Sequence, residues 1–410
     1  MIERPDYIKK LLKFKDKRLI KVITGVRRCG KSTLLELFRH SLTQSGVGQA
    51  QIIAINFEEL AFEELRDYKK LYVYILERLS PGVMNYVFLD EVQNVPEFQR
   101  TADSLYIKEN VDLYLTGSNA RMLSEEIATL LSGRYIEIRM LPLSFREYIS
   151  VMGPDELARK YNRYVTESSF PYTLELEGDL QSIGEYLGGL YSTIILKDVM
   201  NRKKIADPLM LESIIRFMFF NIGNLTSCTN IANTMKSEGR PISVHTVESY
   251  LSALTDCFIL YRAGRYDVKG RQFLKSGDKY YAADLGLRYY LLGGRNANAG
   301  SILENIVYLE LLRRGGRVYV GKNGSSEIDF VVEHPGSRPG DVPFGDGVEY
   351  YQAALTARDD TVLERELAPL AAIKDHNPKY LLTMDEDPPA SYDGINRLNA
   401  LDWLLQDRRV

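Results

Sequence analysis

Gly25-Val26-Arg27-Arg28-Cys29-Gly30-Lys31-Ser32 is the stretch that decides the fold. It has the form G-x-x-x-x-G-K-[ST]. Before it stands the apolar run Leu19-Ile20-Lys21-Val22-Ile23, and after it the helical pattern Thr33-Leu34-Leu35-Glu36-Leu37-Phe38. Strand, glycine loop and helix in that order make a phosphate-binding loop. Gly25 and Gly30 let the backbone curl with its N–H groups inward, and the new helix turns its positive dipole end toward the same place. Lys31 is placed to reach the β- and γ-phosphates of a nucleoside triphosphate, and the Ser32 hydroxyl to ligate Mg²⁺. The cradle expected here is Gly25, Arg28, Cys29, Gly30, Lys31, Ser32 and Thr33.

Outward from the loop, Gln51 to Phe57 reads as a second strand. Tyr86-Val87-Phe88-Leu89 reads as a third, continuous and apolar as a buried parallel strand should be. It runs into Asp90-Glu91-Val92-Gln93. An apolar strand ending in two acids completes the chemistry of the loop: Asp90 to hold Mg²⁺, Glu91 to orient and deprotonate the attacking water. The next strand, Val111 to Thr116, ends in Gly117-Ser118-Asn119. Asn119, with Ser118 second, is the candidate to touch the γ-phosphate or the water. Arg134, just before the strand Ile136-Glu137-Ile138, is the candidate extra cation on the γ-phosphate, in its own subunit or a neighbour's. Arg27, Arg28 and Arg121 compete with it. Alternating strands and helices give a parallel sheet covered on both faces, with ligand at the carboxyl ends of the strands. ATP and Mg²⁺ are the expected cofactors, and Lys31, Glu91, Asn119 and Arg134 the expected catalytic set.

ITGVRRCGKSTLL, FLDEVQNVPEFQ, LTGSNARML and SGRYIEIRMLPLSFREY together resemble a group of bacterial and archaeal AAA-type ATPases that carry a C-terminal region of unassigned function. The resemblance covers nearly the whole chain and is most specific in its first 150 residues. It implies an AAA-type ATPase core and a prokaryotic origin. The chain departs from the pattern at Thr166 to Tyr172, Thr-Glu-Ser-Ser-Phe-Pro-Tyr, where a glycine-rich stretch usually follows.

Beyond the first domain, Leu180 to about Arg202, Leu209 to Phe220, Thr226 to Met235 and Ser243 to Leu254 read as helices. Ser243 is a natural N-cap for the last of them. Phe258 to Arg262 and Lys279 to Ala282 read as two strands around a basic tip. Three helices and a two-stranded wing form the winged-helix pattern. As a DNA reader it would present Ser243, His245 and Thr246 to the groove and Arg265, Lys269, Arg271 and Lys275 to phosphates. The helix carries Glu248 and no lysine or arginine, which suits a protein-interaction module instead.

In the last third, Glu304 sits on an amphipathic helix, Asp329 in the strand Glu327 to Val332, and Gln352 in the strand Val348 to Leu355. A helical acid, a strand acid and an E-x-K strand build the metal site of restriction-endonuclease-like folds. Here Gln352 stands at the acid position of E-x-K, and Ala354 where the lysine belongs. Glu304, Asp329 and Gln352 therefore read as a vestigial nuclease site. His334 to Gly347, rich in Gly and Pro, reads as a mobile connector.

The expected architecture is α/β in three parts: a P-loop AAA-type domain at 1–150, a helical and winged-helix region at 151–295, and an α/β restriction-endonuclease-like domain at 296–410. A net charge of −3 opposes a globally basic nucleic-acid coat. Cys29, Cys228 and Cys257 are too few and scattered for a disulfide framework or a zinc site. Oxidation of Cys29 within the loop would block nucleotide entry. The first residues lack a signal peptide's apolar core, and no run is long enough to span a bilayer, so a cytoplasmic place is expected. Expected partners are ATP, DNA through the winged helix, a protein, and further copies of the chain. Rival readings are a nucleotide-gated protein-interaction switch with slow turnover and an ATP-regulated DNA nuclease; Ala354 weighs against the second.

Overall fold

A computed structural model describes residues 2–118, 133–200, 205, 207–270, 272–294, 298–334 and 347–407, with the side chains of 194–197 and 275–276 left aside. Asn119, Arg121, Arg271 and most of the connector from His334 to Gly347 lie outside the described residues. The chain forms two compact units: Met1–Pro142 with Asp256–Phe258, and Leu143–Thr255 with Ile259–Val410.

The first unit runs α1 (Pro5–Phe14), β1 (Ile20–Thr24), α2 (Lys31–Gln44), β2 (Ile52–Asn56), α3 (Tyr68–Leu76), β3 (Asn85–Asp90), α4 (Phe98–Tyr106), β4 (Val111–Gly117) and β5 (Tyr135–Arg139). Its five strands lie in the order β2-β3-β4-β1-β5, all parallel. Alternation along each strand sorts side chains onto the two faces. Val22, Val87, Leu89, Leu113 and Leu115 join Leu71, Ile75, Ala102 and Leu105 of α3 and α4 in one buried cluster. On the other face Phe38 of α2 meets Phe88 and Tyr114, which stack with centroids 4.8 Å apart. The order sets β4 between β1 and β3, so the ends of β3 and β4 stand beside the loop that follows β1. At the opposite edge of the sheet Lys21 is wholly buried in an ion pair with Asp112, which also accepts from the Tyr114 hydroxyl at 2.8 Å. The buried charge is thus paired and bonded, as its burial requires.

The second unit runs α5 (Phe145–Met152), α6 (Leu157–Glu167), α7 (Leu180–Leu190), α8 (Pro208–Phe220), α9 (Cys228–Ser237), α10 (Val244–Asp256), β6 (Leu260–Asp267), β7 (Gln272–Ala282), α11 (Leu285–Leu292), α12 (Ala299–Arg313), β8 (Arg317–Asn323), β9 (Ser326–Glu333), β10 (Val348–Ala354), α13 (Asp360–Ala371), β11 (Lys379–Thr383), β12 (Ala390–Tyr392), β13 (Ile395–Asn399) and α14 (Ala400–Leu405). One eight-stranded sheet links its strands in the order β12-β13-β11-β10-β9-β8-β6-β7. The hairpin β6–β7 is therefore the edge of this sheet and not a free wing: Arg265 to Asp267 pair in parallel with Val320 to Lys322 of β8. Sheet pairing crosses the boundary expected at 295/296, and Leu-Ser-Phe-Arg-Glu-Tyr falls in the second unit rather than the first. Arg265, expected at a phosphate, is half-buried with its Nε enclosed and unbonded.

The departure at Thr166 to Tyr172 has a local solution. Ser168 takes φ 102, a conformation that favours glycine. Its hydroxyl donates to the buried Asp284 at 3.0 Å, and Asp284 also accepts from the Ser169 and Leu287 N–H groups at 2.6 and 2.7 Å. Gly286 has no side chain because a Cβ there would lie 2.4 Å from Ser168 Cα.

Candidate functional site

The loop after β1 has the shape its glycines permit. A Cβ on Gly25 would lie 2.1 Å from the Met140 carbonyl oxygen, so only glycine fits. Arg28 and Gly30 take φ 68 and 100, and α2 begins directly at Lys31. Lys31 is buried, and its Nζ donates to the Gly25 and Val26 carbonyls at 3.3 and 3.4 Å. These are long bonds to neutral oxygens, and a phosphate oxygen is the stronger acceptor for an ammonium. Ser32 is exposed at the helix start, and Thr33 follows in the first turn. Cys29 differs from the expectation: its side chain is wholly buried, with Sγ 3.7 Å from the Met140 carbonyl, and burial pushes its thiol up. Such a thiol is shielded from oxidants.

β3 and β4 deliver the acids. Asp90 ends β3, buried, and accepts from Thr116 Oγ of β4. Burial drives its carboxyl up; hydrogen bonds from Ser32 and Thr116 act against that, while Glu91 adds to it. A buried carboxyl beside a second acid and the Ser32 hydroxyl is a donor set suited to a divalent cation, which would favour the ionised form. Glu91 takes left-handed angles, φ 53 and ψ 47, and its N–H donates to Thr116 Oγ at 2.9 Å. This turn aims the carboxylate back at the loop, where Oε1 lies 3.5 Å from Lys31 Nζ. Its Oε2 accepts from Gln93 Nε2 and, at 3.4 Å, from Ser118 Oγ. Beside them a cavity of about 220 Å³ is lined by Ser32, Glu36, Arg39, Asn56, Glu59 and Asp90 among others.

Lys31, Ser32, Asp90, Glu91 and Ser118 are thus brought together. Arg134 is not. Its carbonyl accepts from Ile20 N–H, and Tyr135 pairs with Ile20, at the amino edge of the parallel sheet. The loop begins past Thr24, four residues further along β1, roughly 13 Å away at about 3.3 Å per residue. Arg134 is instead paired with Asp103 and stacked over Tyr106 at 5.2 Å. A role in its own chain's site is corrected by this geometry. The position was readable: a residue that precedes a parallel strand falls on the edge away from the ligand.

Three contributors escaped the motif reading. Thr116 bonds both Asp90 and the Glu91 backbone, and Gln93 holds the Glu91 carboxylate. Arg4, just before α1, is buried and donates to the Cys29 and Leu141 carbonyls at 3.2 and 2.8 Å. Arg4 also lies over the Tyr7 ring at 4.8 Å, and nothing in the sequence around it announces its burial or the distant carbonyls it reaches.

In the second unit Glu304, Asp329 and Gln352 do converge. The Asp329 N–H donates to Gln352 Oε1 at 3.2 Å, and the Ala353 N–H to Asp329 Oδ2 at 2.9 Å. Between Glu304 and Asp329 stands a residue that the sequence reading gave no role, Lys279 of β7. Among the described residues, no group of three or more His, Cys, Asp or Glu side chains is arranged to hold a metal ion. Among them also, no helix is long and apolar enough to cross a membrane.

The parallel sheet, the glycine loop and the acids after β3 define a P-loop AAA-type protein, and residues 17–149 match the AAA domain family. Residues 158–298 match a domain of unknown function (DUF8612). More particularly, the chain belongs to the same family as an uncharacterized protein of Haemophilus influenzae, which is 38% identical over 411 residues spanning 99% of both chains. An uncharacterized protein of Methanocaldococcus jannaschii is 28% identical over 380 residues, 87% of this chain and 79% of its own. Similar solved structures include the Aeropyrum pernix ORC1 protein in complex with DNA, 14% identical, covering 71% of this chain and 92% of that one with a TM-score of 0.30. Cdc6p from Pyrobaculum aerophilum is 13% identical, covering 75% and 94%, with a TM-score of 0.31.

Proposed function

We propose that the protein is an Mg²⁺-dependent ATP hydrolase whose first unit performs the chemistry. The facing of Lys31 and Glu91 at 3.5 Å carries this reading, because a carboxylate held beside the phosphate cation is placed to act on a water at the γ-phosphate. Lys31 leaves the loop carbonyls for the phosphates. Ser32 and Asp90 would hold Mg²⁺, which supplies charge neutralisation on the phosphate oxygens. Glu91, freed from Lys31, orients the water and takes its proton. Ser118 and Gln93 hold the carboxylate in place. Arg134, being far from its own loop, acts on a neighbouring copy. A steady-state ATPase assay with and without Mg²⁺ tests the reading.

We further propose that the second unit joins a winged-helix part to a nuclease-like part without cleavage activity, and that nucleotide state in the first unit is coupled to both. Three observations support the winged helix: α8, α9 and α10 in succession, the β6–β7 hairpin after them, and an isolated antiparallel bridge from Thr226, before α9, to Asp278 of β7. The Ser243 hydroxyl caps α10 through the Thr246 N–H at 3.0 Å, and His245 beside it is exposed. Duplex DNA is the partner to test first, by gel shift with and without ATP. Absence of binding at low salt would leave a protein partner as the reading.

A further inference from the structure

Lys279 is the most tightly enclosed lysine of the second unit that bears on an expected site. It is 3% exposed, and its Nζ lies 2.8 Å from Glu304 Oε1, 2.8 Å from Glu327 Oε1 and 3.9 Å from Asp329 Oδ1. The three acids come from two elements, α12 and β9, and the lysine from a third, β7. In the sheet order β8 and β6 separate β9 from β7, so no ladder joins these two strands.

We infer that the Lys279 ammonium is the resident cation of this acid cluster, taking the place that a divalent ion would need between Glu304 and Asp329. For the identity of the displaced cation the inference rests on the nuclease-like reading. An ammonium has three donors and no acceptor; here two of them reach the Glu304 and Glu327 carboxylates, and the Asp329 carboxyl lies just beyond. Two of the acid oxygens have a further donor. Glu304 Oε1 accepts from the Tyr281 hydroxyl at 2.7 Å, and Asp329 Oδ2 from the Ala353 N–H. A metal ion bridging Glu304 and Asp329 would touch the ammonium, two cations with no water between them in a buried place. The cluster also works as a clamp. Next to Glu304, the Asn305 amide bonds both the N–H and the C=O of Ala282 in β7, at 2.7 and 3.0 Å. The acids of an expected metal site therefore serve to fix the hairpin after α10 onto α12 and β9.

The test is Mn²⁺ binding without nucleotide, read by EPR on the full chain carrying Asp90→Asn to silence the first unit. The inference predicts no Glu304-dependent Mn²⁺ site up to millimolar concentration while Lys279 is present. Adding Lys279→Ala should create one site, bound at least tenfold more tightly and lost again with Glu304→Gln. A Glu304-dependent site in the presence of Lys279, or a folded Lys279→Ala protein with no Mn²⁺ site, overturns the inference. If Lys279→Ala does not fold, the comparison of Asp90→Asn with Asp90→Asn/Glu304→Gln decides. There a difference in Mn²⁺ binding overturns the inference and equal, absent binding sustains it. Plasmid cleavage in Mn²⁺ by the Asp90→Asn chain is scored separately, since cleavage ends the reading of the nuclease-like part as inactive.

Discussion

The Lys31 ammonium and the Glu91 carboxylate face each other at 3.5 Å across the strand ends, one from the loop after β1 and the other from the turn after β3. The pair is possible because β4 lies between those strands and its Thr116 hydroxyl holds the Glu91 backbone. Under the proposed hydrolysis the arrangement would couple phosphate binding to the acid, because a phosphate that draws Lys31 away would release Glu91.

Replacing Lys31 by Ala removes the only buried cation that the loop presents to the phosphates among the described residues. A hydrogen bond to a charged group contributes about 1.5–3 kcal/mol, so ATP affinity should fall roughly 10- to 100-fold. Titration with a fluorescent ATP analogue checks this, and undiminished affinity would remove Lys31 from the cradle.

Arg4 holds the phosphate loop from behind, through the Cys29 and Leu141 carbonyls. Arg4→Ala should cost about 1–3 kcal/mol of stability from the donors withdrawn from buried oxygens. Because the loop itself is released, the ATP-induced rise in melting temperature should shrink as well. Melting curves with and without nucleotide separate the two effects; a drop in stability with a full nucleotide shift would make Arg4 structural only.

Arg134 lies at the amino edge of the sheet, so Arg134→Ala should leave nucleotide affinity of the single chain unchanged. Its effect should appear in turnover and only where chains assemble. Mixing Arg134→Ala with Lys31→Ala protein should then recover part of the ATPase rate. Lack of recovery in mixed assemblies would confine Arg134 to its pairing with Asp103.

Asp329 is buried next to Glu304, and its carboxyl is pushed from 3.8 up to about 8, chiefly by burial and then by the Glu304 charge. The native state therefore holds this proton more tightly than the unfolded chain does. Native stability is favoured below the unfolded value and declines as pH rises from there to about 8. Asp329→Asn keeps an acceptor for the Ala353 N–H and has no proton to lose. The melting temperature of the variant, relative to the unsubstituted protein, should climb steadily between about pH 5 and pH 8. A gap that is flat over that range contradicts the assignment.

The site of the first unit was largely legible because its residues sit within short, chemically unusual stretches. Gly25, Asp90 and Glu91 each lie at the carboxyl end of a strand that its own apolar run announces, and Lys31 opens the helix after the glycine loop. What needed the structure was anything set by pairing between distant segments. Lys279 meets Glu304 and Asp329 across 25 and 50 residues, from a strand that reads locally as half of a wing. Its role depends on β6 joining β8, which hydrophobic pattern alone does not specify. Arg4 is the same case in the first unit, bonded to Leu141 across 137 residues. Ser168 shows the converse: a glycine position filled by serine, where the hydroxyl bond to Asp284 accompanies an unfavourable φ.

The central claim is that Glu91 activates the water. The direct measurement is ATP binding and turnover by Glu91→Gln protein, side by side with the unsubstituted chain. General-base catalysis contributes roughly 10²- to 10⁴-fold, so turnover should fall by at least about 100-fold while ATP and Mg²⁺ remain bound. Turnover within a few-fold of the unsubstituted protein, with binding intact, would contradict the account.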